Sequence, residues 1–110
     1  MSGPETRLVH RILAALREKY PGGYFRKIHG NPYQHAGIPD IIGCVESFFI
    51  GLEVKTESGR VSTIQRVEGE EITRSKGIYA VVTSVEEALE VMPIQLSLNS
   101  KKLGRRIRQF

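Results

Sequence analysis

The chain has 110 residues, of which 40% are hydrophobic and 25% are charged, and it carries 16 Lys and Arg against 12 Asp and Glu. This length and composition are typical of a single globular domain, and the apolar runs are too short to cross a membrane. A single cysteine excludes a disulfide framework and cysteine-rich zinc sites. The net charge of +4 suits a polyanionic partner such as nucleic acid.

The N-terminus, MSGPETRL, lacks the basic and apolar regions of a secretory signal. We therefore expect an intracellular protein with no membrane partner. Cys44 lies in an apolar run, where we expect a small core residue rather than a nucleophile or a metal ligand.

The first element is a helix. Apolar residues recur at helical spacing in PETRLVHRILAALREK and predict a helix from Pro4 to Lys19, which ends before a Pro-Gly-Gly segment. Ser2 and Glu5 have the spacing of a capping box, with proline in the first turn. Glu5 therefore has two possible roles, as a cap or as an acid that leans toward a sheet packed under this helix.

The next segment is a strand followed by a loop. Residues 24–28 alternate and predict a first strand, whereas residues 29–38 are rich in Gly, Asn and Pro and predict a loop. Because the loop leads into Pro39-Asp40, its polar side chains and those just before it are candidate substrate contacts, although solvated polarity is the alternative for each. The candidates are Lys27, His29, Tyr33, Gln34 and His35. A zinc site built from the three histidines is disfavoured, because one is on the helix and no cysteine pair joins them.

The stretch from 37 to 65 carries the strongest pattern. Two short apolar runs flank the polar pair Glu46-Ser47, which predicts a hairpin of two buried strands. With those two residues as the loop, Asp40 lies directly opposite Glu53, about 5 Å away, and Lys55 shares the face of Glu53. Both faces of the hairpin are apolar, so we expect a sheet that is covered on both sides.

Two facing carboxylates repel each other, and their desolvation adds to that cost. A divalent cation would offset both effects, and oxygen ligands suit Mg²⁺ or Mn²⁺. The ammonium group of Lys55 could then position water or neutralise charge on a phosphate oxygen. The alternative is that Asp40 caps a turn while Glu53 and Lys55 form a solvated ion pair.

The segment after Lys55 predicts a turn and a second helix. The turn brings Arg60 near the acidic end of the hairpin. Ser62 and Gln65 have the spacing of a capping box, which opens a helix that extends to about Lys76. Gln65 is either only a cap partner, or it also orients a metal ligand, a water molecule or the scissile phosphate.

The last predicted elements are a strand over 78–83 and a short helix over 84–92, which Pro93 ends. The alternation of strands and helices predicts an α/β sandwich. Beyond the domain of residues 1–93, the basic tail 94–110 is a possible edge strand, a contact to a partner subunit or to DNA, or a solvated tail. Its candidate phosphate contacts are Lys101, Lys102, Arg105, Arg106 and Arg108.

Three motifs in this order resemble the signature of the VRR-NUC (virus-type replication-repair nuclease) domain, a branch of the PD-(D/E)XK nucleases. They are Gly37-Ile38-Pro39-Asp40, Leu52-Glu53-Val54-Lys55 and Ser62-Thr63-Ile64-Gln65. The resemblance extends from the first helix to about Met92. It implies a nuclease-like core in the order α-β-β-β-α-β-α, with a central mixed sheet flanked by helices.

The resemblance also implies the roles of the site residues. One or two Mg²⁺ or Mn²⁺ ions would be bound. The catalytic residues would be Asp40, Glu53, Lys55 and Gln65. The implied ligands are Asp40, Glu53, the backbone carbonyl of Val54 and, as an additional acid on the first helix, Glu5.

The implied activity is that of a metal-dependent DNA endonuclease selective for branched DNA. The implied protein is a homodimer, similar to Holliday-junction resolvases of phage or prophage origin, in the cytoplasm or nucleoid of a bacterial host. The alternatives are a nuclease acting on flaps, DNA ends or RNA, and a DNA-binding module without catalysis. A helix-turn-helix repressor is disfavoured because the centre of the chain is strand-like, and a P-loop enzyme because its motif is absent.

Overall fold

The structure is a computed structural model, and it describes residues 3–93. In that range the chain forms three helices and four strands. They are α1 (Pro4–Lys19), β1 (Tyr24–Lys27), β2 (Ile41–Val45), β3 (Phe48–Val54), α2 (Thr63–Arg74), β4 (Ile78–Val82) and α3 (Val85–Glu90). The strands form one sheet in the order β1-β2-β3-β4, antiparallel except that β4 is parallel to β3. The predicted α/β class, element order and mixed sheet are confirmed.

The main core lies between one face of the sheet and the pair α1 and α3. The apolar stripe of α1 is buried, and α1 contacts both α3 and β1. Strand residues at alternate positions face this layer. The fully buried apolar side chains include Ile12, Leu16, Phe25, Ile41, Ile50, Leu52, Val54 and Val82. None of the helices within residues 3–93 is long and apolar enough to cross a membrane.

The opposite face of the sheet carries α2, which covers only part of it. Gly69 is the buried residue of this helix, and it lies against the ring of Tyr79 on β4. On the part that α2 leaves open, Tyr24 of β1 is 51% exposed, Phe49 of β3 is 42% exposed and Cys44 of β2 is exposed. The expected cover on both sides is therefore present but incomplete, and the expectation of a core Cys44 was wrong, because α2 packs mainly on β3 and β4.

The β2–β3 hairpin has the predicted two-residue loop. Glu46 and Ser47 have φ values of 51° and 74°, as in the type I′ turn that suits the twist of a hairpin. The turn sets a register in which Ile41 pairs with Leu52. One position further on, Asp40 faces Glu53, as predicted.

The two ends of the chain differ from the prediction or lie outside the described residues. The N-cap of α1 is Gly3, with no side-chain cap, so the expected capping box of Ser2 and Glu5 does not start this helix. Residues 94–110, with their five candidate basic contacts, lie outside the described residues. The domain boundary at 93 and the role of the tail stay predictions.

We expect Gly69→Ala to destabilise the protein by about 1 to 3 kcal/mol, because the added methyl group would overlap the ring of Tyr79. At an ordinary helix position the same change would stabilise the protein by about 1 kcal/mol, so the sign of the change in the free energy of unfolding distinguishes the two cases. Urea unfolding measures this free energy. In a Tyr79→Ala background the penalty should disappear, and an equal loss in both backgrounds would contradict the close packing.

Candidate active site

Asp40 lies at the end of the loop that precedes β2. Its backbone carbonyl accepts a hydrogen bond from the amide of Ile28, at 2.8 Å, which continues the pairing with β1. Its side chain accepts a second bond, from the amide of Val54 to Oδ2, also at 2.8 Å. Two neighbouring strands thus fix both the backbone and the carboxylate of Asp40 at one end of the sheet.

Glu53 is buried opposite Asp40, with 1% of its surface exposed. Its Oε2 accepts a hydrogen bond from Nε2 of Gln65, at 2.8 Å, and lies 3.4 Å from Nζ of Lys55. Its Oε1 is buried with no hydrogen-bond partner. Burial and the negative charge of Asp40 raise the pKa of Glu53 to about 7, although the ammonium group of Lys55 opposes the shift.

Gln65 is both a cap partner and a neighbour of the buried acid. Its amide N–H donates to Oγ of Ser62 at 3.1 Å, and its Oε1 accepts from the amide of Ser62 at 2.9 Å, which completes the predicted capping box. Because Oε1 is engaged in this way, Nε2 faces Glu53. The start of α2 therefore holds an N–H donor against the carboxylate.

Lys55 lies just beyond β3 with 14% of its side chain exposed. Its amide donates to the carbonyl of Val82, at 3.0 Å, so it still follows the sheet and shares the face of Glu53. The turn after it packs on its stem, since a side chain at Gly59 would lie 3.2 Å from Cβ of Lys55. The ammonium group is thus held at the edge of the site, on a side chain that is mostly buried.

The donor set of the site fits an oxygen-ligated divalent cation. Asp40 and Glu53 supply carboxylates, and when both are ionised the buried Oε1 of Glu53 has no hydrogen-bond donor among the described residues, a position that a bound cation would satisfy. The N–H and C=O of one residue in an antiparallel strand point to the same neighbour. The amide of Val54 reaches Asp40, so its carbonyl faces that side too.

The described residues contain no group of three or more His, Cys, Asp or Glu side chains suited to a metal ion. Glu5, half-buried in the first turn of α1, is therefore not brought into such a group with the two acids. Its role as a further ligand stays a prediction.

The loop of residues 29–38 is anchored to α2. Nε2 of His35 lies 3.0 Å from Oε1 of Glu68, and Gly37, with φ of 87°, packs against Ile64 so closely that a side chain would clash. Tyr33 is 98% exposed on this loop.

The other candidate DNA contacts differ in their placement. Arg60 and His29 are exposed, whereas Lys27 is half-buried and shares the α1 face of the sheet with Phe25. Their contacts with DNA stay predictions.

No protein-family model and no curated protein matches this sequence. A solved structure described as a VRR_NUC domain superposes on 74% of this chain and 90% of its own chain, with a TM-score of 0.58 and 22% identity. The chain has the VRR_NUC fold. At this identity the likeness concerns the VRR_NUC fold alone, so the chemistry has to be argued from the side chains.

One residue near the site was not singled out from the sequence. Tyr79 pairs with Gly51 in the parallel β3–β4 ladder, two positions from Glu53, and its hydroxyl lies 3.5 Å from the carbonyl oxygen of Gln65. Burial, then the charges of Glu53 and Asp40, raise the pKa of Tyr79. The alternation of IYAVV could have suggested its face, but the register of β4 against β3 is not readable from sequence. In this chain the register places Tyr79 on the same face of the sheet as Glu53.

We expect the free energy of unfolding of the metal-free protein to fall as the pH rises from about 4.5 to about 7. The raised pKa of Glu53 means that the native state binds this proton more tightly than the unfolded state in that window, so stability is lost as the proton leaves. The loss is on the order of 3 kcal/mol and levels off above about pH 7. Urea unfolding in EDTA at several pH values measures it. Glu53→Gln should remove most of this slope, and an unchanged slope would mean that Glu53 is not the group responsible.

Proposed function

We propose that this protein is a metal-dependent endonuclease that hydrolyses phosphodiester bonds in DNA. The observation that carries the proposal is the buried Glu53, which faces Asp40, has one oxygen without a partner, and has Lys55 at 3.4 Å on the other. The VRR_NUC fold supports a nuclease of the PD-(D/E)XK type. A site that places two acids and a lysine at one end of a sheet has little use in a module that only binds DNA.

Asp40 and Glu53, with the carbonyl of Val54, would hold Mg²⁺ or Mn²⁺. When bound, the ion would polarise the scissile phosphate and lower the pKa of coordinated water. Lys55 would bind a phosphate oxygen, or the attacking water, and stabilise the negative charge that develops there. Gln65 would keep the carboxylate of Glu53 oriented through the 2.8 Å bond of its side-chain amide.

Selectivity for branched DNA and a homodimeric state are further parts of the proposal. They rest on the sequence resemblance, and on the argument that a two-fold symmetric enzyme can place two sites on a two-fold symmetric junction. Phage or prophage origin rests on the same resemblance. Flaps, DNA ends and RNA are the competing substrates in the experiment below.

We expect the purified protein to cleave DNA in Mg²⁺ or Mn²⁺ and not in EDTA, and we expect Lys55→Ala to lower the rate by at least about 100-fold. The substrates are a labelled four-way junction, a flap, a linear duplex and RNA, compared on denaturing gels. Lys19→Ala, which removes an exposed lysine at the end of α1, is the matched control and should leave the rate unchanged.

Paired cuts on the junction with weak cutting of the other substrates would support the branched-DNA proposal. Equal cutting of every DNA substrate would support the nuclease proposal but contradict the selectivity for branched DNA. If no substrate were cut in either metal while DNA was still bound, the nuclease proposal would fail in favour of a binding module.

We expect Gln65→Ala to lower the cleavage rate about 10-fold more than Ser62→Ala does. Both changes break the capping box, each at a cost of about 1 kcal/mol, but only the first removes the N–H that binds Glu53. Rates are compared at equal folded fraction, checked by circular dichroism. Equal rates in the two variants would reduce Gln65 to a cap.

A further inference from the structure

The two flanks of α2 differ. On one flank the loop of residues 29–38 closes against the helix, through His35 on Glu68 and Gly37 on Ile64. The other flank is open above β4, the last strand of the described sheet. It forms a groove of about 390 Å³, lined by Arg66, Gly69, Glu70, Thr73, Arg74 and Tyr79.

The groove carries unpaired positive charge. Arg66 and Arg74 are exposed, and neither makes an ion pair within residues 3–93. They lie eight residues apart on one helix, which separates them by about 12 Å along the axis. Glu70 is the acid between them, so the groove has a net positive charge with one opposing group.

The groove ends beside the candidate active site. Gln65, whose side chain binds Glu53, lies one helical turn before Gly69 of the groove and therefore on the same side of α2. Tyr79, on the floor of the groove, brings its hydroxyl to 3.5 Å from the carbonyl of Gln65. A chain lying in the groove would therefore pass from the aromatic floor to the carboxylates without leaving the surface of α2.

We propose that this groove binds an unpaired strand of the DNA substrate. Arg66 and Arg74 contact successive parts of the phosphate backbone, and the ring of Tyr79 provides an aromatic surface for a base. A base can stack on the ring only when it is not paired within a duplex, so the groove would favour an unpaired strand next to the scissile bond. The proposal rests on the proposed nuclease function and specifies the kind of DNA which that site accepts.

The test is binding, measured by fluorescence anisotropy of a labelled single-stranded oligonucleotide with the full chain in EDTA, so that no cleavage is required. We expect the double variant Arg66→Gln/Arg74→Gln to bind on the order of 10-fold more weakly, with a salt slope smaller by about 1.4, or about 0.7 for each phosphate contact. The control is Arg11→Gln/Lys19→Gln. It removes two exposed charges at the same spacing on α1, across the sheet, and should change the affinity less than about 2-fold.

A second pair of variants tests the groove by a gain of binding. Glu70 lines the groove, whereas Glu71 faces the other flank of α2 beside Phe49 and Ile72. Glu70→Gln should strengthen binding of the single strand a few-fold, because it removes the one acid from the groove. Glu71→Gln makes the same change in net charge on the next residue and should not.

Equal effects in the groove variants and their controls would overturn the proposal, since general electrostatic attraction would then account for the binding. An equal loss of affinity for a blunt duplex would overturn it as well, because the groove would not distinguish an unpaired strand. The nuclease proposal fails separately, by an absence of cleavage in metal. If the protein showed no nuclease activity but the groove variants still bound the single strand more weakly than their controls, the groove proposal would stand and the nuclease proposal would fail.

Discussion

The structure depends on a carboxylate that is costly to bury. Glu53 is almost inaccessible, and it faces a second acid across an antiparallel pair whose other positions are apolar. A charged group in such a place normally loses its charge or finds a partner. Gln65 and Lys55 partner only one of its oxygens. The remaining oxygen makes this end of the sheet a candidate cation site. The sheet, the turn after β3 and the start of α2 all hold the carboxylate of Glu53 in this position.

Helix α2 links the scaffold to the chemistry. Gly69 lets this helix approach β4 closely, because a side chain there would collide with Tyr79. This close approach brings the first turn of the helix to the carboxylate, where Gln65 serves the cap and the acid with different atoms of one amide. Gly69 is the one fully buried residue of this helix, so its position depends on a few polar contacts and on the close packing of Gly69 on Tyr79, Ile64 on Gly37 and Ile72 on Gly51.

Local patterns predicted much of this arrangement. The bounds of α1, the two-residue hairpin loop and the Asp40–Glu53 pairing all follow from residues that are close in sequence, and the structure has each of them. The extent of the cover on the second face did not follow from them, and Cys44 is exposed because α2 packs mainly on β3 and β4. Which helix lies on which face, and how far it reaches, depends on packing between distant segments. For the same reason the sequence does not place Tyr79 near the site, because its position depends on the β3–β4 register.

The turn at Glu46-Ser47 lies about 20 Å from the carboxylates, at the far end of the hairpin. Because side chains on a strand alternate, a one-residue slip in the pairing would exchange its two faces. Leu52 and Val54 would then point to the site, and Glu53 would point into the apolar layer under α1. An insertion in this distant turn that shifted the pairing by one residue would therefore abolish the active site, although every catalytic residue would still be present in the sequence. The length of this turn sets the strand register, and the register decides which side chains face the active site.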